Sequence, residues 1–268
     1  MLRRVGLTHI SSTPQEILES SRRDGYWVQR GLDLNRDEFY DFCSSITKPW
    51  SVETHKIHRE TVDENEIVNW SSNTRFGKMS IPWHADNPWH EKYKFPLRAF
   101  YAVKIPDPED GSLAMLNITD WFEDLPEKEK EYFRSLKVLT QCYKGGCQPF
   151  WSSFVKIHPI TKKESFYWGA MPVPGDTYGL QQDEGVPAPR FSFTMAIQKP
   201  NRDLVLPEEI NEWFSDMLKD KYLYVHKWQV GDLLILDNWI NVHYRGTITT
   251  EEERLLWRKT LYQPWQMI

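Results

Sequence analysis

Residues 222–263 constrain the fold more than any other stretch. They read as four short segments, "YLYVHKWQ", "DLLILD", "NVHYRG" and "LLWRKTLYQ", divided by glycine, aspartate and charged turns. Each has the length of a strand and carries the aliphatic and aromatic side chains of one. Short strands at this regular spacing predict a sandwich or a barrel. Further strands are expected upstream, in "DGYWVQRG" (24–31), "LRAFYAVKI" (97–105), "SLAMLNI" (112–118) and "FSFTMAIQ" (191–198).

Helices punctuate the strands. "STPQEILESSR" (12–22) has Thr13 as cap, Pro14 at the first helical position and Glu16 three residues after the cap. "NRDEFYDFCSSI" (35–46) follows Asn35 with Phe39, Phe42 and Ile46 at helical spacing. Residues 119–136 contain a helix from Pro126, with Tyr132, Phe133 and Leu136 as its apolar stripe, and "LPEEINEWFSDMLKD" (206–220) is amphipathic. The expected fold class is mainly β with flanking helices. One domain spans 1–268, with a helical part at about 1–60 and a barrel core at about 75–265 that carries helical insertions.

A chain of 268 residues buries enough apolar surface to fold without disulfides or a structural metal. Its 40% apolar and 26% charged residues and net charge of −5 are those of a soluble globular protein. Mild acidity with no basic stripe argues against nucleic acid as a partner. No stretch approaches the ~20 apolar residues of a membrane span, and "MLRRVGLTHISS" lacks the apolar run of a signal peptide. Cys43, Cys142 and Cys147 form no CxxC pair and read as free thiols. A cytoplasmic protein is expected, and a homo-oligomer stays open.

The stretch "SIPWHADNPWH" (80–90) places His84 and Asp86 two positions apart among tryptophans. Residues i and i+2 of a strand share a face, so one strand can supply two metal ligands. An H-x-D triplet alone is weak, since roughly 0.5 arise by chance in a chain like this. On this triplet alone, a surface or satisfied histidine is the favoured reading. The second piece is "GDLLILDNWINVHYRG" (231–246), an apolar strand and a turn that lead to His243. The third is "ERLLWRKTL" (253–261), where Arg254 lies 11 residues after His243 and Arg258 lies 15 after it. In a strand those two arginines share a face. A solvated face beside Glu251, Glu252 and Glu253 accounts for Arg254 but poorly for Arg258, which sits between Trp257 and Lys259. Inward arginines are costly unless they meet carboxylates.

"WHAD" (83–86), "HYRG" (243–246) and an arginine 11 residues further on together resemble the TauD/TfdA family of Fe(II)- and 2-oxoglutarate-dependent dioxygenases. "WQVGDLLILDNWINVHYR" (228–245) is similar to the family's glycine-aspartate turn, apolar strand and aspartate-asparagine pair. The resemblance runs in order and spacing from about residue 25 to 263. It implies a double-stranded β-helix core, the jelly-roll or cupin-like barrel. It also implies a facial triad for Fe(II) made of His84, Asp86 and His243, with three adjacent positions left open for 2-oxoglutarate and O2. The cosubstrates become succinate and CO2 while a small organic molecule is oxidised, by hydroxylation, desaturation or cyclisation. In related halogenases the carboxylate slot holds a small residue. Asp86 fills it here, so halogenation is not expected.

By the same resemblance, Arg254 grips the far carboxylate of 2-oxoglutarate with its guanidinium fork. Arg258 matches a position that holds the substrate's anionic group in sulfonate-oxidising members, or it shares the 2-oxoglutarate clamp. The chain departs from the family at one point. A threonine often follows a Gly-Gly pair there, whereas "PEDGSLAMLN" has Gly111 alone and puts Leu113 at the threonine position. Ser112 offers the nearest hydroxyl, although one residue over in a strand it faces the other way.

The substrate is the least legible part. Trp83, Trp89, Trp239 and Tyr244 flank the ligands and either keep water off the site or stack on an organic substrate; Trp83 and Trp239 are the substrate candidates. "VNWSSNTRFGKMS" (68–80) reads as a lid loop and residues 168–190 as a second long loop. An amino-acid-like molecule or a natural-product intermediate suits such a site. Two other readings stay open, a non-catalytic jelly-roll binding protein and a zinc-dependent hydrolase. His9, His55, His58, His90, His158 and His226 have no partner at comparable ligand spacing.

Overall fold

The N-terminal helices form where their caps dictate. The computed structural model describes residues 10–46, 68–73, 77–86, 97–140, 150–158, 160–166 and 196–261. His9, His55, His58, Trp89, His90, Cys142, Cys147 and the 168–190 loop lie outside the described residues. Helix α1 (Pro14–Asp24) carries the expected capping box, in which Thr13 and Glu16 satisfy each other's backbone N–H groups. It stops at Gly25, which takes φ +87°. Gly25 leaves no room for a side chain, because a Cβ there would lie 2.2 Å from Asn241 Nδ2. Strand β1 (Tyr26–Gln29) and helix α2 (Arg36–Ile46) follow, the latter burying Phe39, Phe42, Cys43 and Ile46.

The chain then builds β2 (Val68–Ser71), β3 (Ile81–His84), β4 (Leu97–Lys104) and β5 (Leu113–Asn117). Helices α3 (Ile118–Asp124) and α4 (Glu127–Ser135) come next. Strands β6 (Lys137–Thr140), β7 (Phe150–Ser153), β8 (Val155–Ile157), β9 (Glu164–Phe166) and β10 (Ala196–Gln198) precede α5 (Pro207–Met217). The C-terminal quartet is β11 (Leu223–His226), β12 (Leu233–Asp237), β13 (Asn241–Arg245) and β14 (Leu255–Leu261), as its turn signals predict.

Two antiparallel sheets face each other. One has five strands in the order β1-β12-β4-β14-β2, and the other has four in the order β11-β5-β13-β3. Strand alternation sorts the side chains into layers. Leu97, Ala99, Tyr101, Leu233 and Ile235 pack outward against Ile17, Phe39 and Phe42 of α1 and α2. Their neighbours Phe100, Ala102, Leu234, Leu236 and Leu256 point inward, toward Leu113 and Met115 of the smaller sheet and Trp228. Ala114, Leu116 and Val242 cover that sheet's other face, against Trp121, Phe122, Phe133 and Phe214 of α3, α4 and α5. β12 is therefore covered on both sides, which is why it reads as an unbroken apolar run. Each such buried side chain contributes about 1.5–3 kcal/mol of hydrophobic stabilisation.

Three elements differ from the sequence reading. Residues 119–136 hold two helices, because Asn117, which also ends β5, caps α3 by accepting from Asp120 N at 3.0 Å. The first residues of the expected lid at 68–80 form β2, an edge strand paired with β14 through Trp70 and Leu256. Finally, β3 ends at His84, so Asp86 lies beyond the strand and needs other means to stay beside the histidine.

Candidate metal centre and its arginines

His243 of β13 is registered with His84 of β3 on one side and Met115 of β5 on the other. The two imidazole rings lie 4.2 Å apart, centroid to centroid. Asp86 brings its Oδ1 to 3.7 Å from His84 Nε2. One ligand atom from each of His84, Asp86 and His243 falls within 4.8 Å of the others. Residues 159 apart in sequence meet because β3 and β13 are neighbours in the smaller sheet.

Asp86 is held at two points. Its backbone N–H donates to Asn238 Oδ1 at 2.7 Å, and its carbonyl accepts from Asn238 Nδ2 at 3.0 Å. Its carboxylate accepts from Arg98 Nε at 2.5 Å. Burial alone would raise the Asp86 carboxyl. Arg98, then His243, Arg258 and His84, overcome this and hold it well below the usual carboxylate range. Burial pushes His243 well below its ordinary 6.5, helped by His84 and opposed by Asp86. His243 is thus neutral at neutral pH, with a lone pair to give. Its Nδ1 is buried with no partner among the described residues.

Arg254 immediately precedes β14 and is 1% exposed. Its Nη2 donates to Gly111 O at 3.0 Å, and its guanidinium lies 5.8 Å above the Trp228 ring. Nε and Nη1 are buried and have no partner among the described residues. Burial, with Arg245 beside it, pushes Arg254 down to about 9, and Asp110 only partly opposes this. Asp110 is already occupied by the backbone N–H groups of Thr249 and Thr250 and the Thr249 hydroxyl. A buried fork short of a counter-charge fits an incoming carboxylate. Arg258, four residues on, stacks on Trp70 at 4.2 Å and lies close enough to the triad to lower both Asp86 and His243.

Gly111 makes room for this arginine. It takes φ +62°, and a Cβ there would lie 2.7 Å from Ile248 Cγ1 and 3.2 Å from Arg254 Nε. Gly111→Ala should destabilise the fold by about 1–3 kcal/mol and displace the guanidinium. Calorimetric titration should then find weaker 2-oxoglutarate binding with Mn(II) binding almost unchanged; full cosubstrate affinity in the folded variant would contradict that.

The remaining expected residues fall as follows. Leu113 is registered with Arg245, a buried arginine that donates to the carbonyls of Gly77 and Met79. Ser112 accepts from Gly246 N through its carbonyl, and its Oγ is the nearest atom to where a Gly246 side chain would begin. Trp83 is a correction to the substrate candidates. Adjacent strand residues face opposite ways, so its ring packs with Tyr244 at 5.5 Å in the helix-side core, away from His84. Trp239 sits edge-on to His158 at 6.0 Å, with its carbonyl accepting from Ser165. His158 and His226 instead face buried Asp237 and Asp232, at 3.3 and 3.0 Å. Arg98 went unread in the sequence, and Asn238 and Arg245 were read only as parts of family-like segments, without a role.

The family model for "Taurine catabolism dioxygenase TauD, TfdA family" matches residues 7–260. The chain belongs to the TauD/TfdA family. Membership makes it a dioxygenase that works with Fe(II), 2-oxoglutarate and O2. Comparison with curated proteins finds no match. Among solved structures, a taurine dioxygenase from Burkholderia xenovorans superposes with a TM-score of 0.65 at 16% identity, covering 97% of this chain and 81% of that one. PvcB from Pseudomonas aeruginosa gives 0.64 at 15%, covering 94% and 81%. AAD-2, solved with Mn(II) and N-oxalylglycine, gives 0.63 at 13%, covering 94% and 89%. At these identities the likeness is one of fold, the TauD-like jelly-roll. Among the described residues no helix is long and apolar enough to cross a membrane.

Proposed function

We propose that His84, Asp86 and His243 hold the iron, that Arg254 grips the far carboxylate of 2-oxoglutarate, and that Arg258 faces the substrate. The observation that carries this reading is the buried, partly unpaired fork of Arg254 in the same interior as a two-histidine, one-aspartate cluster. Two imidazoles and one carboxylate suit Fe(II) and leave adjacent positions for ligands. Bound iron supplies the redox chemistry that couples loss of CO2 from 2-oxoglutarate to oxidation of the substrate.

The chain's own residues do the rest. His243 presents a neutral imidazole and Asp86 an ionised carboxylate, so no proton need leave either on metal binding. Arg254 fixes the cosubstrate's distal end, and Trp228 beneath it excludes water from that end. Arg258, Arg98, Arg245 and Arg254 place four guanidiniums in this interior. The Arg258 guanidinium, stacked on Trp70 and close to the proposed ligands, suits a substrate with an anionic group, such as an amino acid or an acidic natural-product intermediate. Trp70, under Arg258, fixes the guanidinium's direction. Hydroxylation is the reaction proposed, with desaturation or cyclisation as the variants that the same ligand set permits.

The test is a mass-spectrometric screen of carboxylate-, sulfonate- and phosphate-bearing small molecules. It should find a product that gains one oxygen or loses two hydrogens, with succinate released only when Fe(II), 2-oxoglutarate and O2 are all present. Succinate release independent of O2 would refute the reading. In Arg258→Ala the substrate-free turnover of 2-oxoglutarate should survive while coupling to the substrate falls. Loss of the substrate-free turnover would instead give Arg258 to the cosubstrate.

A further inference from the structure

We infer that Arg98 is a positioning residue that decides which carboxylate oxygen of Asp86 is offered to the metal. This rests on reading His84, Asp86 and His243 as the iron ligands. Arg98 lies on β4 and is 2% exposed. Its same-face neighbours on that strand, Phe100 and Ala102, belong to the apolar interior. A buried cation at such a position is costly unless it is paired and hydrogen-bonded. It is both. Nε donates to Asp86 Oδ2 at 2.5 Å, and Nη1 donates to the hydroxyl of Thr260, its registered partner on β14.

The consequence is geometric. With Oδ2 committed to the guanidinium, Oδ1 is the oxygen turned toward His84. Asn238 fixes the backbone of the same residue. The carboxylate is therefore held in one orientation, with one oxygen facing His84. A carboxylate free to rotate can chelate a metal through both oxygens and fill a position that a ligand needs. Arg98 keeps Asp86 a one-oxygen ligand, and Thr260 keeps Arg98 in place. Partners of this kind behind metal ligands commonly carry a 10–100-fold effect on affinity.

Mn(II) is the probe, used with the full-length chain and read by calorimetry and by electron paramagnetic resonance of the bound ion. Wild-type protein should bind Mn(II), and His84→Ala should not. Arg98→Met should weaken binding by about tenfold or more and alter the resonance spectrum as Asp86 changes its mode of attachment. Arg98→Lys should recover part of both. Thr260→Val should shift both in the same direction by less. A folded Arg98→Met protein with wild-type affinity and spectrum overturns the inference, as does tighter binding, which would make the guanidinium a competitor of the metal. If Arg98→Met does not fold, Arg98→Lys and Thr260→Val decide, and wild-type spectra in both overturn it. Mn(II) binding that depends on His84 but ignores Arg98 removes the positioning role alone. Binding that ignores His84 brings down the ligand assignment as well.

Discussion

His243→Ala should lower Fe(II)-dependent succinate release by more than about a hundredfold, beyond the 10–100-fold typical of residues that only support a ligand. The imidazole sits at the centre of the smaller sheet's inner face, is neutral, and has His84 as its registered neighbour. Removing it leaves one histidine and one carboxylate, too few to fix a six-coordinate ion with defined open positions. The fold should tolerate the change. β13 is paired with β5 over its whole length and with β3 at His243 and Arg245, and the ring is not part of the three apolar clusters. Thermal unfolding should move little while Fe(II) affinity collapses. Retained turnover in a folded His243→Ala protein would rule out the residue as a ligand.

Arg254→Met should have the next largest effect, and its sign should depend on the cosubstrate. A buried charge pair that loses one partner costs about 2–5 kcal/mol, so 2-oxoglutarate affinity should fall by about thirtyfold or more with Mn(II) binding largely kept. Without 2-oxoglutarate the same substitution should leave stability unchanged or raise it. The native guanidinium is buried with two nitrogens unpaired among the described residues, and a hydrophobic side chain of similar length relieves that cost. Melting curves with and without 2-oxoglutarate separate the two effects. Wild-type protein should gain thermal stability from the cosubstrate and Arg254→Met should not. An equal gain in both would place the carboxylate elsewhere.

Much of this site was legible because its parts are local patterns. His84 with Asp86, His243 after an apolar strand, and Arg254 at a fixed interval carry the resemblance to the family that singles them out as candidates. The helices at Thr13 and Asn35 announced themselves by their caps. What escaped was set by tertiary partners. Arg98 sits inside "PLRAFYAVKI", where it looks like a stray charge; only the register with Thr260 and the approach of Asp86 give it a role. Asn238 reads as a turn residue until its amide is seen bridging the backbone of Asp86 from 152 residues away. Helix α3 was hidden because Asn117 ends a strand and starts a helix at once. Trp83 stands next to a proposed ligand in sequence yet on the other face of the strand, which is the period of two asserting itself.

The most direct test is visible absorption under anaerobic conditions as Fe(II) and 2-oxoglutarate are added to the protein. If three side chains and Arg254 together present iron and cosubstrate to each other, a weak charge-transfer band should grow only when both are present, and Asp86→Ala should abolish it. A wild-type protein that shows no band, or an Asp86→Ala protein that shows the same one, would contradict the assignment.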